Sequence, residues 1–298
     1  MARTASIEAI RFGEQPRPAW PAHVLRFLRR NPLGAVASAL VAALVVVAAF
    51  APLIATDDPY ALGAEVPLAA PSSAHLFGTD DLGRDVFSRV VYGARISLYV
   101  GFVAVAIGTI AGTTIGLLAA YFRGTIDFWS QQMIDALFAF PTIVLGLAIV
   151  SVLGPSITNV ILAVGVVSIP RIARVVRSSA LSVMEQPYIE AARSTGCTNL
   201  RIVLRHVLPN CMAPIIVLAT AGFSTAILAE AALSFLGVGT PPPQPSWGAM
   251  LSGAAQQYVR VAPWMAIFPG IAISLAVFGF NLFGDALRDA LDPRLRTA

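Results

Sequence analysis

Glu190, Gly196 and Pro209 are the residues whose types and spacing point most clearly to a task. They stand in Tyr188-Ile189-Glu190-Ala191-Ala192-Arg193-Ser194-Thr195-Gly196, a polar stretch that closes on His206-Val207-Leu208-Pro209-Asn210. The task they suit is mechanical. Pro187 fits a first helical turn, where its missing N–H costs nothing. Glu190 near that start suits the positive end of the helix dipole. Gly196 can take the left-handed conformation that ends a helix. Thr198 or Asn199 can cap the next helix, and Pro209 marks a bend into the apolar run that follows. The spacing predicts two short helices with a stop between them. A polar hairpin between apolar runs belongs on a membrane face, where a soluble partner can press on it.

Groups for covalent chemistry are missing. A phosphate-binding P-loop needs a lysine for the β- and γ-phosphates, and the chain contains none; all 20 of its basic residues are arginines. His23, His75 and His206 are far apart and suggest no metal site, and no Ser-His-Asp arrangement is legible. No catalytic residue, metal or resident cofactor is expected. Cys197 and Cys211 form no CxxC and are expected to be reduced and structural.

The elements that must position the hairpin are membrane spans. The chain is 57% hydrophobic and 12% charged, with a mean hydropathy of +0.75. Soluble domains carry about 25% charged residues. The arginine excess calls for no nucleic acid, because its distribution fits membrane orientation. A crossing takes about 20 apolar residues, and six such runs are predicted: 33–56, 96–122, 128–153, 157–176, 211–236 and 262–284. The turn signal Gly154-Pro155-Ser156 separates the third from the fourth. The first run is too long for a cleaved signal peptide. With a cytoplasmic N-terminus, sixteen arginines fall inside and four outside, which fixes that orientation by the positive-inside rule. The expected fold is an all-α polytopic membrane protein with six transmembrane helices and both termini cytoplasmic.

Within the spans, Gly108, Gly112 and Gly116 repeat every four residues and predict close helix packing. Pro141, Pro170, Pro214 and Pro269 permit kinks. Asp135 is expected near the cytoplasmic surface. Glu230, near the outer end of the fifth span, is either part of a structural pair or a contact for a substrate amine or outer gate.

The hairpin resembles the EAA loop of ABC-transporter permeases: Glu-Ala-Ala, three residues, Gly, nine residues, then a hydrophobic-x-Leu-Pro close. Glu190, Ala191, Ala192, Gly196, Leu208 and Pro209 match; His206 replaces an aliphatic residue. Three further stretches, starting at Gly78-Thr79-Asp80-Asp81-Leu82-Gly83-Arg84-Asp85, Leu233-Ser234-Phe235-Leu236-Gly237 and Phe280-Asn281-Leu282-Phe283-Gly284-Asp285, are similar to the C-type permease subunit of dipeptide, oligopeptide and nickel importers. The similarity runs over residues 26–296.

The resemblance implies a type I ABC importer permease fold, divided into a cytoplasmic tail (1–32), a first span with its periplasmic loop (33–95), a five-helix core (96–287) with a coupling loop at 185–210, and a C-terminal tail (288–298). It implies a bacterial inner-membrane subunit in a heterodimer with a second permease. Two ABC ATPase subunits binding ATP-Mg and an extracytoplasmic substrate-binding protein complete the assembly. Import of dipeptides or oligopeptides is the favoured function, with nickel or glutathione-like solutes as the alternative within the family. Outside it, a secondary transporter or an intramembrane enzyme is disfavoured.

Overall fold

The computed structural model describes residues 32–62, 66–252 and 254–291, with no side-chain detail for Ala254. Of the tails expected over 1–32 and 288–298, only residues 32 and 288–291 are described. Among the described residues the structure is helical, with one isolated bridge between Thr79 and Asp85. The helices are α1 (Pro32–Ala49), α2 (Ala51–Ile54), α3 (Val86–Phe122), α4 (Gly124–Phe138), α5 (Thr142–Leu153), α6 (Ile157–Met184), α7 (Pro187–Ser194), α8 (Asn199–Ile202), α9 (Leu208–Phe235), α10 (Trp247–Met250), α11 (Ala254–Tyr258) and α12 (Trp264–Leu291).

Among the described residues, five helical runs are long and apolar enough to cross a bilayer: α1, α3, α6, the run Asn199–Phe235, and α12. The expected third span is a broken pair instead. Helices α4 and α5 meet at 92° across Ala139-Phe140-Pro141. Proline disfavours a helical conformation in the residue before it, and the chain breaks at Pro141, whereas Pro170, Pro214 and Pro269 stay inside α6, α9 and α12. The pair makes a sixth crossing if taken together.

The first span, expected over 33–56, breaks at Phe50 into α1 and α2, while α3, α6 and α12 outrun their predicted limits at polar ends. Helix α3 starts at Val86 rather than 96, because the Asp85 carboxylate caps it by accepting from Ser88 N–H. Its 37 residues reach about 55 Å, so its two ends lie on opposite sides of the bundle. Helix α6 continues to Met184, and α12 runs from Trp264 to Leu291.

Packing centres on α3 and α6. A Cβ on Gly108, Gly112 or Gly116 would stand 2.6–2.8 Å from atoms of Ser168, Ile172 or Ala173. The four-residue repeat therefore serves backbone approach, as expected. Helix α9 packs on α3 and α12, and α1 packs on α12. One apolar cluster joins the α3 and α6 ends to the hairpin through Leu117, Val176, Met184, Ile189, Ile202 and Val207.

Candidate functional site

The hairpin is built as a stiff unit. Helix α7 begins on Pro187 and carries Glu190 in its first turn. It stops in a Schellman arrangement: Gly196 N–H donates to the Arg193 carbonyl at 2.9 Å, and Cys197 N–H to the Ala192 carbonyl at 3.1 Å. Gly196 has φ +80°, the left-handed value that this closure uses. Thr198 takes the cap position of the next helix, but its side chain makes no capping hydrogen bond.

The expected second short helix is not separate. Helix α8 leads through a π-helical turn, Val203–Val207, straight into α9. Leu208 N–H reaches back to the Val203 carbonyl. Pro209 follows this wider turn directly, in the first turn of α9, where its missing N–H is tolerated.

Ile189 and Ala192 face inward, Leu208 is half-buried, and Glu190, Ala191, Gly196 and Pro209 are exposed. Ile189 anchors α7 in the apolar cluster beneath it. The Tyr121 hydroxyl donates to Asn199 Oδ1 at 2.6 Å, tying the end of α3 to the start of α8. On the outer surface Leu200 is 69% exposed and Leu204 53%, one helical turn apart, and Tyr188 is also exposed. Neither the Tyr121 tie nor this apolar pair was foreseen. Leu200 and Leu204 sit four apart in the sequence, a spacing that does signal one helix face.

The opposite end is a hydrogen-bonded cap. Asp80 accepts from Leu82 N–H, Arg84 N–H and Arg84 Nε, and Arg89 Nε lies 3.5 Å from it. Trp264 Nε1 donates to the Thr79 carbonyl and Trp247 Nε1 to the Val90 carbonyl. The absence of a metal site was expected from three scattered histidines, without regard to carboxylates. His75 in fact meets Asp57 and Asp85, with ligand-type atoms all within 4.8 Å. Asp85 is already engaged there: one oxygen accepts from Ser88 N–H at 2.7 Å and the other lies 3.1 Å from His75 Nδ1. The trio reads as a helix cap braced by an imidazole.

Glu230 is 0% exposed. Ser234 donates to it at 2.7 Å and Ser97 at 3.2 Å, Thr240 stands at 3.5 Å, and Ser246 also bonds to it. No arginine pairs with it among the described residues. It joins α3, α9 and the following loop through hydroxyls alone.

Asp135 pairs with Arg174, and the Arg174 guanidinium sits 4.5 Å from the centre of the Phe138 ring. A second pair, Asp127 with Arg177 in a two-pronged contact, was not foreseen. Both tie α4 to α6. A cavity of about 190 Å³ opens beside them, where α4 breaks, with Phe138, Thr142, Ser168, Arg171 and Leu233 in its wall.

Known proteins match this chain along nearly all of its length. The family described as binding-protein-dependent transport system inner membrane component matches residues 112–297. That described as the N-terminal TM domain of oligopeptide transport permease C matches residues 20–71. The dipeptide transport system permease protein DppC of Alkalihalophilus pseudofirmus is 47% identical, over 91% of this chain and 88% of its own. The glutathione transport system permease protein GsiD of Escherichia coli is 48% identical, over 95% and 93%. Among solved structures, the inward-facing MetNI methionine ABC transporter superposes with a TM-score of 0.56 at 21% identity, covering 69% of this chain and 97% of that one. That likeness speaks for the fold, which is the type I importer permease fold. Identity of this extent removes the secondary transporter and the intramembrane enzyme. The chain belongs to the binding-protein-dependent transport system inner membrane component family, as a multi-pass membrane transport subunit that works with ATPase and substrate-binding partners.

Proposed function

We propose that this chain is one of two membrane subunits of a peptide importer, and that the hairpin at 185–210 is where an ATPase grips it. The observation that carries the reading is the hairpin itself. A loop closed by paired backbone bonds around Gly196, seated on Ile189 and showing Leu200 and Leu204 outward, can transmit a push instead of absorbing it. Glu190, Ala191 and Gly196 lie on the surface that a motor would meet, and Leu208 and Pro209 join it to the fifth span. Conformational coupling requires the motor to make different contacts in two states. The bundle then alternates between inward- and outward-facing forms by rigid-body movement.

In this reading the partners are a second, different permease, two ATPases that hold ATP-Mg, and an extracytoplasmic binding protein; the chain itself holds no cofactor. The membrane is a bacterial inner membrane with both termini cytoplasmic, supported by sixteen arginines on the inner side. Dipeptides or oligopeptides are the substrate class, supported by the 47% identical dipeptide permease. Glutathione-like solutes are the second reading, favoured by the 48% identical glutathione permease. Affinity purification of the tagged chain from membranes tests the docking. An ATPase should co-purify and be lost when Leu200 and Leu204 are both changed to aspartate. Full retention by that double variant would remove the hairpin as the grip.

A further inference from the structure

We propose that Arg171 is a carboxylate-binding side chain of the translocation path, taking a free carboxylate of the solute in the cavity at the α4–α5 break. The inference rests on the peptide-import reading above and adds the chemical group that is held.

Helix α6 presents three arginines at three-residue intervals, Arg171, Arg174 and Arg177. Two of them climb a ladder of aspartates on α4: Arg177 meets Asp127, and Arg174 meets Asp135. As the α6 number falls, the α4 number rises. A next rung at the same pace of eight residues would fall near Ile143, past the end of α4. No acid stands there; the helix breaks and α5 turns away by 92°. Arg171 is left facing the cavity with no acidic partner among the described residues.

A guanidinium does not lose its proton in proteins. Arg171 lies toward the cytoplasmic end of its span, among the arginines counted on the inner side, and a charge at that depth turns to water or a functional surface and not to lipid. The wall around Arg171 is chiefly apolar, with Ile143, Val164 and Leu218, and has hydroxyls only at Thr142, Ser168 and Thr225. One fixed cation amid apolar walls suits a small apolar group that carries an anion. A peptide's C-terminal residue has that composition: a side chain beside a carboxylate. The planar fork of arginine matches a carboxylate through two parallel N–H···O bonds. The cavity, about 190 Å³, suits an end of the solute and not the whole of a long peptide.

The test uses the full importer in liposomes, with wild-type binding protein and ATP on the motor side. Uptake of one dipeptide and of its C-terminal amide is measured, each divided by the amount bound to the binding protein. That division removes the binding protein's own preference. In Arg171→Gln the acid-to-amide ratio should fall about tenfold, the effect of losing one hydrogen bond to a charged group. Arg171→Lys should keep part of the ratio, because it keeps the charge but loses the fork. An unchanged ratio in Arg171→Gln overturns the inference. So does an equal loss of both substrates with poorer recovery of the second permease, since Arg171 would then answer an acid of that subunit. If the wild-type importer accumulates neither peptide, the peptide reading fails and this inference falls with it.

Discussion

The hydroxyl of Tyr121, one residue before the end of α3, donates to the side-chain oxygen of Asn199 at the first residue of α8, 2.6 Å away. A long membrane helix is thereby fastened to the hairpin at the far side of the closing Gly196 turn. Movement of the hairpin has a direct route into α3, whose other end carries the Asp80 and Trp247 cap.

Tyr121→Phe removes that bond alone. The site is exposed, so the stability loss should be about 0.5–1 kcal/mol. Assembly with the ATPases should persist while uptake per ATP hydrolysed falls. Asn199→Ala should give the same fall, and the double variant no further one, because both remove one interaction. Additive losses would show two separate roles.

Gly196 should matter more than Glu190. Nothing lies within 4 Å of a Cβ placed on Gly196, so the cost of Gly196→Val is backbone strain, about 1–2 kcal/mol. The end of α7 should shift and ATP hydrolysis should uncouple from uptake. Glu190→Ala removes an exposed charge at a helix start and should cost about 0.3–1 kcal/mol. Wild-type uptake by Gly196→Val would contradict a rigid hairpin.

Glu230 behaves in this structure as a clasp. Glu230→Leu leaves the hydroxyls of Ser97 and Ser234 without their acceptor, a loss of about 1–3 kcal/mol. Glu230→Gln keeps an acceptor oxygen and should lie between Glu230→Leu and wild type in thermal unfolding of the purified chain. Uptake should follow stability through the series. A Glu230→Gln chain of wild-type stability that transports nothing would make Glu230 a gate instead.

The spans were legible because a bilayer demands long apolar runs, and the hairpin because glycine and proline punctuate it. The break at Pro141 was harder to read: proline permits anything from a kink to a full stop, and only the packing of α4 against α6 decides. The π-helical turn before Pro209 was not legible either, since a proline in a first helical turn is equally compatible with a regular helix. Ion pairs such as Asp127 with Arg177, 50 positions apart, and the meeting of His75 with Asp85 depend on tertiary contacts that no local pattern encodes. Glu230 was visible as a charge in an apolar run, but its hydroxyl partners come from its own helix, from α3 and from the loop that follows.

Topology has a built-in reporter. Cys197 is half-buried on the hairpin and the exposed Gln256 lies beyond the opposite end of α9. In intact cells a membrane-impermeant thiol reagent should leave the native chain unlabelled and should label Gln256→Cys. After the membrane is opened, Thr198→Cys should react as well. Labelling of Thr198→Cys from outside would reverse the orientation and separate the hairpin from any cytoplasmic motor.

Reconstitution tests the central claim most directly. A chain with no lysine has no P-loop lysine, and in the proposed reading its work comes from a partner ATPase that reaches the hairpin. In liposomes, this chain alone should neither hydrolyse ATP nor concentrate peptide. Addition of the second permease, the two ATPases and the binding protein should produce both activities, with hydrolysis rising when loaded binding protein is present. Proton- or sodium-driven peptide accumulation by the purified chain alone would contradict the account.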